Sequence, residues 1–289
     1  MSTSAKPVIL SIQSNVAWGY VGNSAAVFAL QRLGFDVLQV HTVLFSNHTG
    51  YGQFRGQILS AEHIRDILDG LRDRGVLQKV GAVLSGYLGN ADTGAVILDA
   101  VNDIRHTNPG LCYLCDPVMG DVGRGLFVSP AIPTFLRDQA IPFANIITPN
   151  QFEFELLTGS KLASVEEAVT TARQLRGRGP STIIITSLAT PDIAPDELGT
   201  LAVNGDGAWL VTTPRLDLHP LPNGMGDVFA ATLVGRLMDG KALPEALELA
   251  TATLYSLVKA TAQGSRDLPL ISEQVQLVAP SERFNAKAV

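Results

Sequence analysis

Cysteine is nearly absent from this 289-residue chain: Cys112 and Cys115 are the only two. A disulfide framework is therefore excluded, and one C-x-x-C supplies half of a four-ligand zinc site. The histidines, His41, His48, His63, His106 and His219, show no i, i+4 pairing that would complete it. Two thiols in a buried strand are the expected outcome. No run of Lys or Arg is long enough to follow a phosphate backbone, and 21 basic residues stand against 27 acidic ones for a net charge of −6. Nucleic acid is thus not an expected partner. A nucleotide as a small ligand stays open, because helix N-termini and a bound cation hold phosphates without a basic surface. No window approaches the roughly 18 consecutive apolar residues of a membrane span. The opening MSTSAKPVILSIQSN also lacks a basic stretch followed by a long apolar one, so the expected compartment is the cytoplasm, with no membrane partner.

Several catalytic signatures are missing as well. There is no G-x-x-x-x-G-K-[ST] phosphate loop and no G-x-S-x-G nucleophile elbow. The glycines at 224 and 226 do not make a dinucleotide fingerprint, because Phe229 stands where a third glycine belongs and the segment does not follow the first strand.

What is present is a globular composition, 46% hydrophobic and 17% charged, with enough apolar residues for a sizeable core. Short apolar β-rich runs at 8–12, 37–42, 80–84, 111–115, 146–148 and 183–187 alternate with segments of 3.6-residue periodicity at 24–33, 61–74, 93–106, 151–157 and 165–176. This alternation predicts an α/β fold: a central, mostly parallel sheet with helices on both faces. Gly34 stands where a cap for the first helix belongs. Later, 198–203 and 208–213 read as two antiparallel strands joined by the turn Asn204-Gly205-Asp206-Gly207, followed by helices near 227–238 and 244–262. No repeat or linker interrupts the chain, so residues 1–289 are read as one domain. In such a sheet ligands bind beyond the carboxyl ends of the strands. That directs attention to the loops at 13–23, 45–56, 116–125 and 221–227.

The segment Asn223-Gly224-Met225-Gly226-Asp227 enters a helix whose apolar face repeats at Phe229, Leu233 and Leu237. Glycines before a helix leave bare N–H groups at its positive end, a favourable place for phosphoryl oxygens. Asp227 stands at the same spot, where amide dipoles are expected to keep its carboxylate ionised. A base beside an anion hole is what a kinase requires: it accepts the hydroxyl proton as that oxygen attacks phosphorus, while the amides stabilise the transferring group. Simple capping by Asp227 is the alternative.

Asp116-Pro117-Val118-Met119-Gly120-Asp121 leaves a buried strand with two carboxylates, followed by Gly123, Arg124 and Gly125. Hard oxygen ligands of this kind suit Mg²⁺ held mainly by water and substrate phosphates, and the glycines would let Arg124 close over those phosphates. A surface turn with solvated acids is the alternative. Pro149 pushes Thr148 out of helical geometry, so Thr148 and Asn150 end at the next strand exit with Glu153 one turn behind. Trp18 is expected to pack rather than stack on a ligand.

Taken together these segments resemble the ribokinase superfamily, and the N-terminal third resembles its pyridoxal kinases. The resembling pieces run collinearly: Ser11-Ile12-Gln13-Ser14 with Gly19-Tyr20-Val21-Gly22-Asn23, Phe45-Ser46-Asn47-His48-Thr49-Gly50-Tyr51, Leu84-Ser85-Gly86-Tyr87, Cys115 to Asp121, Ile147 to Glu153, Ile185-Thr186-Ser187 and Gly224 to Asp227. The resemblance implies a ribokinase-like fold in a homodimer. It also implies phosphorylation of the 5′-hydroxymethyl group of pyridoxal, pyridoxine or pyridoxamine by ATP in vitamin B6 salvage. The implied cofactors are Mg²⁺ and a monovalent cation, K⁺ or Na⁺.

Carried over by motif, Ser14, Val21, His48, Thr49 and Tyr87 would line the vitamin pocket. Asp227 would be the base, with Gly224, Met225 and Gly226 as the anion hole. Asp121, Thr148, Asn150, Glu153, Thr186 and Ser187 would surround ATP, and Asp116, Asp121 and Glu153 the metal. The chain departs from the pattern at Asn15, where many relatives have His, at Met225 in place of a small or β-branched residue, and in the short loop after Asp121. Two other readings remain at this point: another small-alcohol kinase of the superfamily, for hydroxymethylpyrimidine or a sugar, and a non-catalytic pyridoxal or pyridoxal-phosphate binding protein.

Overall fold

The computed structural model describes residues 6–289, so the first five residues of the expected domain lie outside it. The first half builds β1 (Val8–Trp18), α1 (Asn23–Arg32), β2 (Val37–Asn47), β3 (Gly56–Ile58), α2 (Ala61–Asp73), β4 (Val80–Ser85), α3 (Ala91–Thr107) and β5 (Cys112–Cys115). A small hairpin, β6 (Gly120–Asp121) and β7 (Gly125–Leu126), precedes the broken helical stretch of α4 (Ala131–Phe135) and α5 (Ile141–Phe143). Then come β8 (Ile146–Ile147), α6 (Gln151–Thr158), α7 (Val165–Arg176), β9 (Thr182–Leu188), β10 (Glu197–Val203) and β11 (Ala208–Pro214). The chain ends with α8 (Met225–Met238), α9 (Leu243–Lys259), α10 (Val275–Val278) and β12 (Lys287–Ala288).

Ten strands form one sheet in the order β12-β11-β10-β9-β8-β5-β4-β1-β2-β3. The six from β2 to β9 are parallel, and antiparallel strands finish both edges. The apolar runs are continuous because both sheet faces are covered, and period-2 alternation divides each run between two cores. Leu10 and Ile12 of β1 face one core with Ile64, Val96 and Ile97, whereas Ile9 faces the other with Ala25, Leu233 and Ala250. β9 does the same with Ile183 and Ile185 on one side and Ile184 on the other. Chain order runs from β1 outward to β2 and then back to β4 on the other flank, so a crevice opens at the carboxyl ends of β1 and β4.

Two expectations about the strands need correction. β1 and β2 do not stop at residues 12 and 42: after a register shift between Gln13 and Asn15 they stay paired through Val16↔Phe45 to Trp18↔Asn47. The polar residues there hid the extension, in which Gln13, Ser14, Val16 and Val43 are buried and Ala17 and Trp18, at the far end of β1, are exposed. Trp18 does not pack within the chain; it is 70% exposed. Cys112 and Cys115 do lie in a strand as expected, and burial pushes their thiols up to about 11 and about 12.

Candidate active site

Because the central strands are parallel, Ser14, His48, Tyr87, Asp116, Thr148 and Thr186 all fall at or just beyond the same edge of the sheet. At the β1 exit the chain folds back on itself. Gly22 has φ +53°, and a methyl built on it would lie 2.2 Å from the Ser14 carbonyl oxygen and 2.3 Å from Ser14 Oγ. Only glycine lets α1 start against the buried Ser14. Beneath this corner is a polar network that sequence reading missed. Ser11 Oγ donates to Asn23 Oδ1 at 2.7 Å, Gln13 Nε2 donates to Ser11 Oγ at 2.9 Å, and Asn23 Nδ2 reaches the Val40 carbonyl at 2.9 Å. Asn15, the departure from the histidine pattern, accepts from Ser24 Oγ at 2.9 Å and so helps fix the start of α1.

His48 caps a single 3₁₀ turn, Thr49–Tyr51, by accepting the Gly50 N–H on Nδ1 at 3.1 Å. Burial, and then the positive charge of Arg124, lower its pKa. The neutral ring therefore carries its proton on Nε2 and offers a donor. Thr49 is exposed, Val21 is buried, and the Tyr87 phenol, half-buried, is held protonated by burial while its carbonyl accepts from Thr42 Oγ1 at 2.6 Å.

The acidic exits are tied together. Asp116 Oδ1 accepts from Thr148 Oγ1 at 2.9 Å, and a methyl on Gly226 would lie 3.7 Å from Asp116 Oδ2. Asp116 thus abuts the start of α8. Glu153 closes a capping box with Asn150: it receives the Asn150 N–H at 2.9 Å, while its own N–H donates to Asn150 Oδ1 at 2.9 Å. Its other oxygen takes the Met119 N–H at 2.8 Å and the Gly120 N–H at 3.4 Å. Glu153 is buried and its carboxylate is occupied by backbone amides that stitch the 116–121 loop onto α6. Asn150 completes the joint by donating to the Gly120 carbonyl at 2.9 Å and bridging to Thr186. Ser187 sits beside it with φ +53°, an unusual value for a residue with a side chain. Asp121 is half-exposed and pairs with Arg124 at 3.3 Å.

Burial raises Asp116 to about 7, with the Asp227 charge adding to it, and raises Glu153 to about 8, with the Asp116 charge adding to that. Asp227 also rises through burial, although the Gly22 amide and its own amide offset part of the effect. The expected amide effect on Asp227 is present in the Gly22 and Asp227 N–H groups, but burial outweighs it and the net shift is upward. No group of three side chains among the described residues is arranged to grip a metal directly. The donor set fits a magnesium ion held through water and phosphate, because the hard carboxyl oxygens of Asp116 and Asp121 flank the loop and the buried acids lack a counter-charge.

α8 begins at Met225, two residues earlier than expected, so Asp227 lies in its first turn. The N-cap is Gly224 in the left-handed region, φ +80°, and a methyl there would sit 1.9 Å from the Tyr20 carbonyl oxygen. A side chain at Gly224 would push the helix start off the β1 exit. Met225 packs its side chain against the second core and leaves its amide at the helix start. Sequence reading also missed the segment at 265–267, whose backbone meets Asn223; nothing in its composition marks it.

Comparison with known proteins agrees with this arrangement. The phosphomethylpyrimidine kinase family model matches residues 22–270. Pyridoxal kinase PdxY of Rubrobacter xylanophilus is 49% identical over 97% of both chains, and that of Deinococcus radiodurans is 47% identical over 97% of this chain and 96% of its own. The structure of pyridoxal kinase from Leishmania donovani in complex with ADP and pyridoxamine superposes with a TM-score of 0.91 at 31% identity, covering 98% of this chain and 99% of the other. The fold is ribokinase-like, and the chain belongs to the pyridoxal kinases.

Proposed function

We propose that this chain transfers the γ-phosphoryl group of ATP to the 5′-hydroxymethyl group of pyridoxal, and of pyridoxine and pyridoxamine, in vitamin B6 salvage. The observation that carries the mechanism is Asp227, a carboxyl whose proton affinity is raised by burial, in the first turn of α8 beside the bare amides after Gly224. The 5′-oxygen attacks phosphorus as its proton passes to Asp227; the new O–P bond forms, the bond to the β-phosphate oxygen breaks, and ADP leaves. The amides at 224–226 stabilise the charge on the transferring group.

His48, Thr49, Ser14, Val21 and Tyr87 are assigned to the vitamin, with the His48 Nε2–H and the Tyr87 phenol as donors toward ring substituents. Thr148, Asn150, Thr186, Ser187 and Asp121 are assigned to ATP, and Glu153 orders the 116–121 loop that carries Asp121. Mg²⁺, when bound near Asp116 and Asp121, supplies positive charge to the phosphates. A monovalent cation, K⁺ or Na⁺, is proposed as an activator without an assigned ligand set. Residues 1–289 are proposed to act as one domain. A homodimer in the cytoplasm is proposed, supported by the exposed edge at β3 with Trp18, Phe54 and Ile58.

The family model's description keeps one rival reaction, phosphorylation of a hydroxymethylpyrimidine. Coupled ATP turnover with pyridoxal, pyridoxine, pyridoxamine, hydroxymethylpyrimidine and ribose, each with and without Mg²⁺, separates the two. Turnover is expected with the B6 vitamers alone and only with the metal. A site built for a pyridine ring with hydrogen-bonding substituents should reject ribose by about 10⁴-fold or more. Faster turnover of the pyrimidine than of any vitamer would overturn the assignment.

A second expectation concerns Asp121. Asp121→Ala should raise the Mg²⁺ requirement and the KM for ATP by about tenfold and leave the KM for pyridoxal within about twofold. An unchanged Mg²⁺ titration would reject its place at the phosphates.

A further inference from the structure

The segment after α9 returns across the site. Asn223, immediately before the helix-capping Gly224, donates its backbone N–H to the Arg266 carbonyl at 2.8 Å and its side-chain amide to the same oxygen at 3.1 Å. Arg266 Nη1 donates to the Gly50 carbonyl at 3.0 Å, across 216 positions of chain, and its guanidinium lies 6.0 Å from the Tyr51 ring centroid. Ser265 locks the turn by donating to the Asp267 carbonyl at 2.9 Å and accepting the Asp267 N–H at 3.2 Å. One short segment therefore touches both the anion-hole loop and the turn that carries His48 and Thr49.

Tyr51 marks the contact. Its hydroxyl is buried and closes no hydrogen bond of normal length among the described residues. It faces the Asp267 carboxylate across Gly19, where a methyl would lie 2.7 Å from Asp267 Oδ1 and 3.3 Å from Tyr51 Oη. Gly19 has φ +98°, so the missing side chain permits both the backbone shape and the approach. Burial and the facing carboxylate keep the phenol protonated, ready to donate. The 49–51 turn has no buried residue of its own, and besides the His48 cap and the edge-on contact of the His48 and Tyr51 rings its register depends on polar contacts. Asn47 ties it from the β2 side, its amide donating to the His48 carbonyl at 3.1 Å and to the Gln53 carbonyl at 3.1 Å; Arg266, with Asp267 facing the Tyr51 hydroxyl, ties it from the other.

We infer that Arg266 and Asp267 are positioning residues for vitamin binding, acting through the Gly50 carbonyl and the Tyr51 hydroxyl to hold the 48–51 turn in register with the anion hole. A turn held in its binding shape spares the ligand the cost of ordering it. Loss of the tie should therefore raise the KM for pyridoxal and leave the ATP side alone. The inference rests on the proposed placement of the vitamin at His48 and Thr49.

The test uses steady-state kinetics on the full chain. Asp267→Ala and Tyr51→Phe should each raise the KM for pyridoxal about tenfold, with kcat and the KM for ATP within about twofold, and the double variant should be no worse than either alone. Asp267→Asn, which keeps an acceptor for the phenol, should stay near wild type, as should Arg266→Lys; Arg266→Ala should lose about fivefold in pyridoxal KM. Tyr51→Phe and Asp267→Asn preserve shape and carry the test if Asp267→Ala does not fold. Additive effects, or an equal rise in the KM for ATP, would overturn the inference. If Thr49→Ala raises the pyridoxal KM and Asp267→Ala does not, the positioning role is rejected while the pocket placement stands. If neither raises it, both are rejected.

Discussion

Asp227→Asn is expected to lower kcat by about 10² or more while the dissociation constant of pyridoxal stays within a few-fold. Asparagine keeps the size and a hydrogen-bonding oxygen but cannot accept the hydroxyl proton. The rise in the Asp227 pKa through burial makes the carboxylate a better base than one in water, and also sets the acid side of the pH profile. Below its raised pKa the base is protonated and turnover falls, so wild-type kcat should drop toward low pH with a midpoint above the usual aspartate value. The part of that limb owed to Asp227 should vanish from the residual activity of the variant, leaving the part owed to Asp116. Binding measured by titration and kcat measured at saturating ATP separate the two roles. Equal losses in binding and turnover would remove Asp227 from the proton path and return it to helix capping.

How far the site was legible in the sequence depends on the kind of interaction involved. The parallel strands were visible because β4, β5 and β9 are buried on both faces and leave uninterrupted apolar runs. The extensions of β1 and β2 were not, because Gln13, Ser14, Asn15, Ser46 and Asn47 interrupt the apolar signal of Val16, Val43 and Phe45. Candidate residues at strand exits followed from the topology once the strands were right. Their electrostatics did not follow: the dipole of α8 was readable at Gly224 to Asp227, but desolvation of Asp227 comes from elements distant in the chain. Glu153 is a similar case. Its capping partner Asn150 is three residues away and recognisable, whereas its bonds to Met119 and Gly120 cross more than thirty positions and carry no local pattern. The Arg266 tie to Gly50 is the extreme example, since neither residue looks unusual where it stands.

Asp116→Asn should act in opposite directions on stability and on turnover. Asp116 and Glu153 are raised in the fold to about 7 and about 8, so between roughly pH 4 and pH 8 the unfolded chain gives up protons that the folded chain keeps. Stability of the metal-free, nucleotide-free enzyme must then fall as pH rises through that window, and the full penalty is present above about pH 8. A carboxyl lifted from its usual value to about 7 costs at most about 4 kcal/mol when fully ionised. The asparagine variant removes that charge, still accepts the Thr148 hydroxyl on its amide oxygen, and relieves Glu153 of the charge that helps raise it.

Urea unfolding at pH 5 and pH 9 without metal or nucleotide should therefore show the variant close to wild type at the lower pH and more stable at the higher, by about 1–4 kcal/mol. Its turnover should nonetheless fall about tenfold or more if the proposed role holds, since the same buried charge is the one proposed to draw magnesium to the phosphates. Addition of Mg²⁺ and ATP should close the stability gap from the wild-type side, since a ligand that binds only the folded state stabilises it in proportion to its affinity. A wild-type enzyme whose stability is level from pH 5 to pH 9 would mean that water already solvates these acids, and the charge-for-function exchange at Asp116 would have to be abandoned.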